Sequence, residues 1–242
     1  MNYSWNWGVF WDIGLEGRPH YALLLDGLVW TITTAASAWI VALLLGSVVG
    51  IARTLPNRFV RLLGTSYVEL FRNIPLLMQL FLWYFVLPEV VPKALGDWLK
   101  NMDNGPFFMA VCAIGFFMSA RVAEQVRAGL QALPRGQNMA GTALGLTRFQ
   151  TYRYVLLPVA YRLILPPLTS DFMNTIKNTS IAMTIGLLEL TGRARAMQEF
   201  TFQVFEAFTA AAIIYLVLNL VITAFMRWLE RRTAIPGFIV SG

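Results

Sequence analysis

Five stretches of this 242-residue chain are apolar enough to read as membrane-crossing helices, with polar segments between them. Residues 28–51 are nearly all apolar, and at about 1.5 Å per residue they span a hydrocarbon core about 30 Å thick. Within that run Ala42, Gly46 and Gly50 recur at every fourth position. Such a small-residue face admits a second helix closely, from this chain or from another subunit. Residues 74–91 form the second span, opened by Pro75, which a first helical turn tolerates because that N–H has no intrahelical partner. Gln79 is its one uncharged polar interior residue. Before it, the Arg-rich stretch from Arg53 to Arg72 reads as a loop, with Glu69 and Arg72 spaced for a local pair. Asn104-Gly105-Pro106 turns the chain into a third span at 107–127, in which Arg121 is placed to snorkel. Residues 163–187 and 207–226 supply the fourth and fifth.

Composition fixes the environment. The chain is 57% hydrophobic and 13% charged, against about a quarter charged in soluble domains. The net charge of +6 is a topology signal and not a nucleic-acid footprint. Thirteen of the 19 basic residues follow the first span, join the third to the fourth, or follow the fifth; five lie on the opposite side, and Lys177 lies within the fourth. The positive-inside rule then puts the N-terminus outside and the C-terminus in the cytoplasm. Residues 1–22, which lack a basic signal-peptide region and carry Trp5, Trp7 and Trp11, read as an extracytoplasmic interfacial segment. Residues 23–230 form one transmembrane domain, and 231–242 a cytoplasmic tail. With one cysteine, Cys112, and one histidine, His20, neither a disulfide framework nor a His/Cys metal site can be built.

The polar stretch from residue 132 to 158, ALPRGQNMAGTALGLTRFQTYRYVLLP, stands out against this background. Arg135, Arg148 and Arg153 place it in the cytoplasm, while the small residues Gly136, Ala140, Gly141 and Gly145 allow close backbone approach. Two short helical turns between Pro134 and Phe149 would make it a rigid knob, which a plain connecting loop does not need.

Its spacing resembles the cytoplasmic "EAA" loop of type I ATP-binding-cassette importer permeases. Gly136-Gln137, Met139-Ala140-Gly141, Gly145 and the closing Val155-x-Leu157-Pro158 carry the resemblance. Met139 and Gly141 depart from the pattern, which has Glu and Ala there. The likeness extends to Ser66–Leu76 and to Leu165-Pro166-Pro167 with Lys177-Asn178-Thr179-Ser180, which are similar to stretches of the polar amino-acid permeases. The opening WNWGVF, RTLPNRF and YVELFRNIPL look most like the glutamate/aspartate permease subunits of that group; glutamine, histidine and arginine permeases share the loop and the proline-containing helix. The resemblance implies an all-α membrane protein of the MetI-like fold with five transmembrane helices in the bacterial inner membrane, importing a polar amino acid. It implies coupling through Gly136, Gln137, Met139, Ala140, Gly141, Gly145 and Pro158 to an ATPase subunit that binds ATP and Mg. A second homologous permease, as a heterodimer, and an extracytoplasmic amino-acid-binding protein complete the implied partners, with membrane lipid around them. Consistently, the chain has no G-x-x-x-x-G-K-[ST] phosphate loop and holds no cofactor of its own.

The fourth span is unusually polar. At about 100° per residue, Ser170, Asp171, Asn174, Lys177 and Asn178 fall on one face. Such groups are costly in hydrocarbon and line a cavity or meet partners. Asn174, Lys177, Thr179 and Ser180 are therefore candidates for the solute path, with Lys177 attracting a carboxylate. Alternatively Lys177 pairs with Asp171 or Glu206 and holds the fourth and fifth spans together. A secondary transporter built on Lys177 and Asp171 is the rival from another class, but it gives the Gly-rich loop no task, and no internal repeat supports it. A membrane-embedded enzyme would need a catalytic cluster, and the candidate acids, Asp171 and Glu206, have no histidine beside them.

Overall fold

Proline and the polar side chains around it decide where the helices of this protein break. The computed structural model describes residues 3–14 and 16–233. α1 (His20–Ala52) starts at Pro19, whose fixed backbone opens the helix well before the apolar run. The Arg53–Arg72 stretch, expected as a loop, is instead α2 (Arg58–Asn73). Its signal was Asn57, whose side chain accepts from the Phe59 and Val60 amides as an N-cap. The second span is divided into α3 (Leu76–Phe81), a π-helical turn at Leu82–Val86, and α4 (Leu87–Val90). The chain bends by 100° between α2 and this segment. α5 (Lys93–Lys100) lies in the following loop, and Asn104, in the left-handed conformation, leads into α6 (Gly105–Ala132).

Beyond α6 come α7 (Arg135–Ala143) and α8 (Arg148–Gln150), then a π-helical turn at Thr151–Leu156 that runs into α9 (Leu157–Asn178). The helix at the predicted fourth span thus starts earlier than residue 163, and it tightens to a 3-10 helix over Thr179–Ile185. α10 (Leu190–Thr201) was not anticipated, and α11 (Val204–Thr233) runs past the predicted fifth span. The rest of the expected tail, 234–242, lies outside the described residues. α1, α6 and α11 are each long and apolar enough to cross a membrane, and the bent α2–α4 pair makes a fourth candidate.

Both π-helical turns have the same cause. Pro88 and Pro158 each sit two residues beyond the end of the turn and have no N–H to offer the carbonyl four back. The preceding residue instead donates five back, Leu87 to Leu82 and Leu157 to Tyr152. The break at Pro75 is repaired by Gln79, whose Nε2 donates to the Phe71 and Ile74 carbonyls at 2.7 and 2.9 Å. The polar residue of the second span is therefore a cap.

The core is a seam between α1 and α6. Ala38, Ala42 and Gly46 of α1 lie against Gly115, Ser119 and Val122 of α6, all buried. A Cβ added at Gly46 would stand 2.5 Å from Val122 Cβ. The small-residue face of the first span is thus used within the chain. At the other end, the fully buried Glu189 ties three helices together. It caps α10 through the Gly192 amide at 2.8 Å and accepts from Thr31 of α1 and Tyr215 of α11. The N-terminal segment is tied down by Glu206, which accepts from the Tyr3 hydroxyl and from the Asn6 amide at 2.8 Å. Trp5 stacks on Trp7 there.

Gly46→Val should overpack the α1–α6 seam and cost about 1–3 kcal/mol. A lowered melting temperature in detergent is expected, whereas Gly136→Ala, with open space around it, should not lower it. Equal melting temperatures for Gly46→Val and wild type would remove the seam from its central place.

Candidate coupling element and solute path

The polar stretch folds into a rigid elbow. α7 ends in a left-handed Gly145, φ +72°, from which the Gly145 amide donates to Thr142 O and the Leu146 amide to Gly141 O, both at 3.0 Å. This double bond pattern closes the helix and reverses the chain. Thr147 and Gln150 then form a reciprocal capping box that starts α8. Gly141 permits the two arms to touch, since a Cβ there would lie 2.7 Å from Thr151 Cγ2. That contact explains why glycine stands where the family pattern has alanine. Pro158 follows on the exposed side of the second arm, at the junction with α9.

The elbow presents an apolar tip. Met139, Leu144 and Phe149 are 65%, 77% and 71% exposed at the end of an otherwise polar segment. Gly136 and Ala140 are also exposed, and Gln137 is half-buried with its Oε1 enclosed and without a hydrogen-bond partner. Leu144 and Phe149 were missed in the sequence. Their signal was available, because two large apolar residues sit in a stretch that periodicity assigns to no core.

The four path candidates divide. Thr179 is buried and its hydroxyl donates to Ile176 O at 2.8 Å, and the Ser180 hydroxyl donates to Lys177 O at 2.7 Å. Asn174 is half-buried and Lys177 exposed. Lys177 pairs with neither acid considered for it: Asp171 is taken by Arg121 and Glu206 by Tyr3 and Asn6. The alternative that Lys177 joins the fourth and fifth spans by such a pair is thereby corrected. α9 and α11 are joined instead by Thr169, which donates to Glu230 at 2.6 Å.

A polar cavity of about 370 Å³ opens between α6 and α9, lined by Arg72, Phe117, Arg121, Glu124 and Asp171. Arg121, expected to snorkel, donates to Asp171 at 3.1 Å. Asp171 is only 5% exposed and its Oδ2 is enclosed without a partner, whereas Arg121 is half exposed. Glu124 holds Arg53 and Arg127 at 2.8 Å each, with Arg72 at 4.0 Å. The expected Glu69–Arg72 pair is absent; Glu69 accepts from Asn73 instead. Two guanidiniums and two carboxylates thus face one polar cavity beside α9.

The model for binding-protein-dependent transport system inner membrane components matches residues 42–235. The chain belongs to this family. As a member it is an all-α membrane permease, a transport component and not an enzyme. It is 47% identical to the glutamate/aspartate import permease protein GltJ of Escherichia coli O6:H1, over 98% of each chain. It is 31% identical to the glutamate/aspartate import permease protein GltK of the same strain, over 89% of this chain and 96% of that one. Among solved structures, an amino acid ABC transporter crystallised with histidines superposes with a TM-score of 0.75 at 33% identity, covering 88% of this chain and 95% of the other. The shared fold is that of the type I importer permeases.

The Arg121–Asp171 pair should be asymmetric. Arg121→Gln leaves a buried carboxylate without its counter-charge and should cost about 1–3 kcal/mol. Asp171→Asn leaves a solvated guanidinium and should cost less than about 1 kcal/mol. Unfolding of both variants in detergent checks the order, and equal losses would contradict it.

Proposed function

We propose that this chain is one of two homologous permeases of an ATP-driven importer for glutamate or aspartate in the bacterial inner membrane. The observation that carries the reading is the elbow of α7 and α8. A membrane protein that holds Met139, Leu144 and Phe149 in water on a doubly capped support has built a surface for a partner. The partner is an ATPase subunit, which binds the ATP and Mg that this chain has no phosphate loop to hold. Gly136, Gln137, Ala140, Gly141, Gly145 and Pro158 shape the support, and Met139 contributes apolar contact where the family pattern has a carboxylate.

Five spans follow from taking α1, the bent α2–α4 pair, α6, α9 with its 3-10 extension, and α11, with the N-terminus outside and the C-terminus in the cytoplasm. α9 is too polar to face lipid on all sides. Its Lys177, exposed in the single chain, belongs against a wet pathway or a second chain. A second permease supplies both, and the likeness to GltJ and GltK of one strain supports a heteromeric pair. An extracytoplasmic binding protein delivers the amino acid. ATP-driven closure of the ATPases moves the elbow, rocks the spans towards the outward-open state, and lets the docked binding protein release its ligand, a population shift driven by differential binding. Lys177 and Asn174, with Thr179 and Ser180 shaping the turn beyond them, line the path.

Reconstitution with the ATPase, the second permease and the binding protein tests this. ATP-dependent uptake of labelled glutamate and aspartate above glutamine and histidine is expected; the reverse preference would reassign the solute. Leu144→Asp should lower ATPase retention about tenfold or more without lowering the melting temperature, since it puts a charge into an apolar contact. Full retention by this variant would show that the elbow tip is not the docking surface. Lys177→Met should weaken transport affinity while keeping the ATPase bound, and an unchanged affinity would remove Lys177 from the path.

A further inference from the structure

A second polar cleft lies at the foot of α1, distinct from the cavity of Arg121 and Asp171. It encloses about 340 Å³ and is lined by Arg53, Thr54 and Arg61 on one side and by Leu130, Leu133 and Tyr152 among the residues opposite. Two guanidiniums face it and no carboxylate does. Arg53 is about nine-tenths buried; it gives Nη1 to Glu124, but its Nε is enclosed with no acceptor. A buried donor left unpaired costs free energy that a ligand oxygen would recover. The planar guanidinium fork suits the oxygens of a phosphate.

The depth of the cleft narrows the source of that phosphate. Arg53 directly follows the apolar run of α1, so it marks the boundary where hydrocarbon gives way to headgroups. Gly64 of α2 lies against Arg53, where a Cβ would be 2.7 Å from Arg53 Cγ, and this holds the first turns of α2 at the same level. Those turns alternate exposed Phe59, Leu62 and Leu63 with exposed Arg58 and Arg61. Apolar side chains interleaved with guanidiniums are the pattern of a helix seated at an anionic membrane surface. The leucines opposite Arg53 supply an apolar wall for the root of an acyl chain.

We propose that this cleft binds the phosphate of an anionic phospholipid, of the phosphatidylglycerol type, from the leaflet that Arg53 faces. Leu133 and Tyr152 stand at the two roots of the elbow, where α6 ends and where the π-helical turn begins. A lipid seated in the cleft beside the apolar cluster that holds Leu133 and Tyr152 braces the elbow from its membrane side. The site does not depend on the identity of the transported solute. That the leaflet is the cytoplasmic one rests on the orientation proposed above.

The test uses the full chain purified from its membrane with whatever subunits accompany it, exposed to equal amounts of phosphatidylglycerol and phosphatidylcholine, with lipid retained on this chain counted by native mass spectrometry. Wild type should retain phosphatidylglycerol over phosphatidylcholine. Arg61→Gln, an exposed substitution, should reduce that retention about fivefold, the effect of one basic side chain near an anionic surface, while Arg61→Lys keeps most of it. Millimolar inorganic phosphate should not displace the lipid. Equal retention by wild type and Arg61→Gln would overturn the proposal, and displacement of the lipid by inorganic phosphate would assign the cleft to a soluble anion instead. Because the count needs no transport, failure of the importer reading leaves it unaffected.

Discussion

Hydrocarbon offers no hydrogen bonds, so a chain that interrupts a helix there must satisfy the freed groups from its own side chains or backbone. The interruptions are where its architecture is decided. At Pro75 the amide of Gln79 takes the exposed carbonyls of Phe71 and Ile74. At Pro88 and Pro158 the helix widens by one residue per turn, so that its amides reach carbonyls five back. The charges obey the same constraint. Glu189 is buried with donors from three helices, and Asp171 is buried against Arg121.

These repairs give the molecule its mechanical layout. The exposed elbow is closed internally by the Gly145 reversal, the Thr147–Gln150 capping box and the Gly141–Thr151 contact. From Thr151 the chain continues through the π-helical turn into α9 without a loop. The same helical rod therefore begins at the apolar tip and carries Asp171, Asn174 and Lys177 further along. If the elbow is displaced as proposed, this continuous helix is the path by which the displacement reaches the polar face.

Much of this was legible in the sequence. The long apolar runs located α1, α6 and α11, and the glycines of the polar stretch located the elbow. What stayed hidden had particular causes. The stretch of α2 reads as a loop because arginines interrupt its apolar face, although Asn57 announces a cap. α10 was missed because its helix is short and amphipathic, and with it Glu189, whose burial depends on Thr31 and Tyr215 from distant parts of the chain. Partners of charged residues were equally non-local: Asp171 meets Arg121 fifty positions earlier, and Arg72 approaches Glu124 in place of the nearby Glu69. Spacing along one helix cannot reveal a pair made between two.

Under the proposed coupling the elbow and α9 move as one body when ATP is bound. The most direct measurement places spin labels at Phe149 and Ser170, both exposed, in the assembled importer, with a third label on the second permease. The account predicts the same Phe149–Ser170 distance in nucleotide-free and ATP-bound states, together with a changed distance from Ser170 to the second permease. A Phe149–Ser170 distance that changes on ATP binding would mean that the elbow bends against α9, and the rigid transmission described above would be wrong.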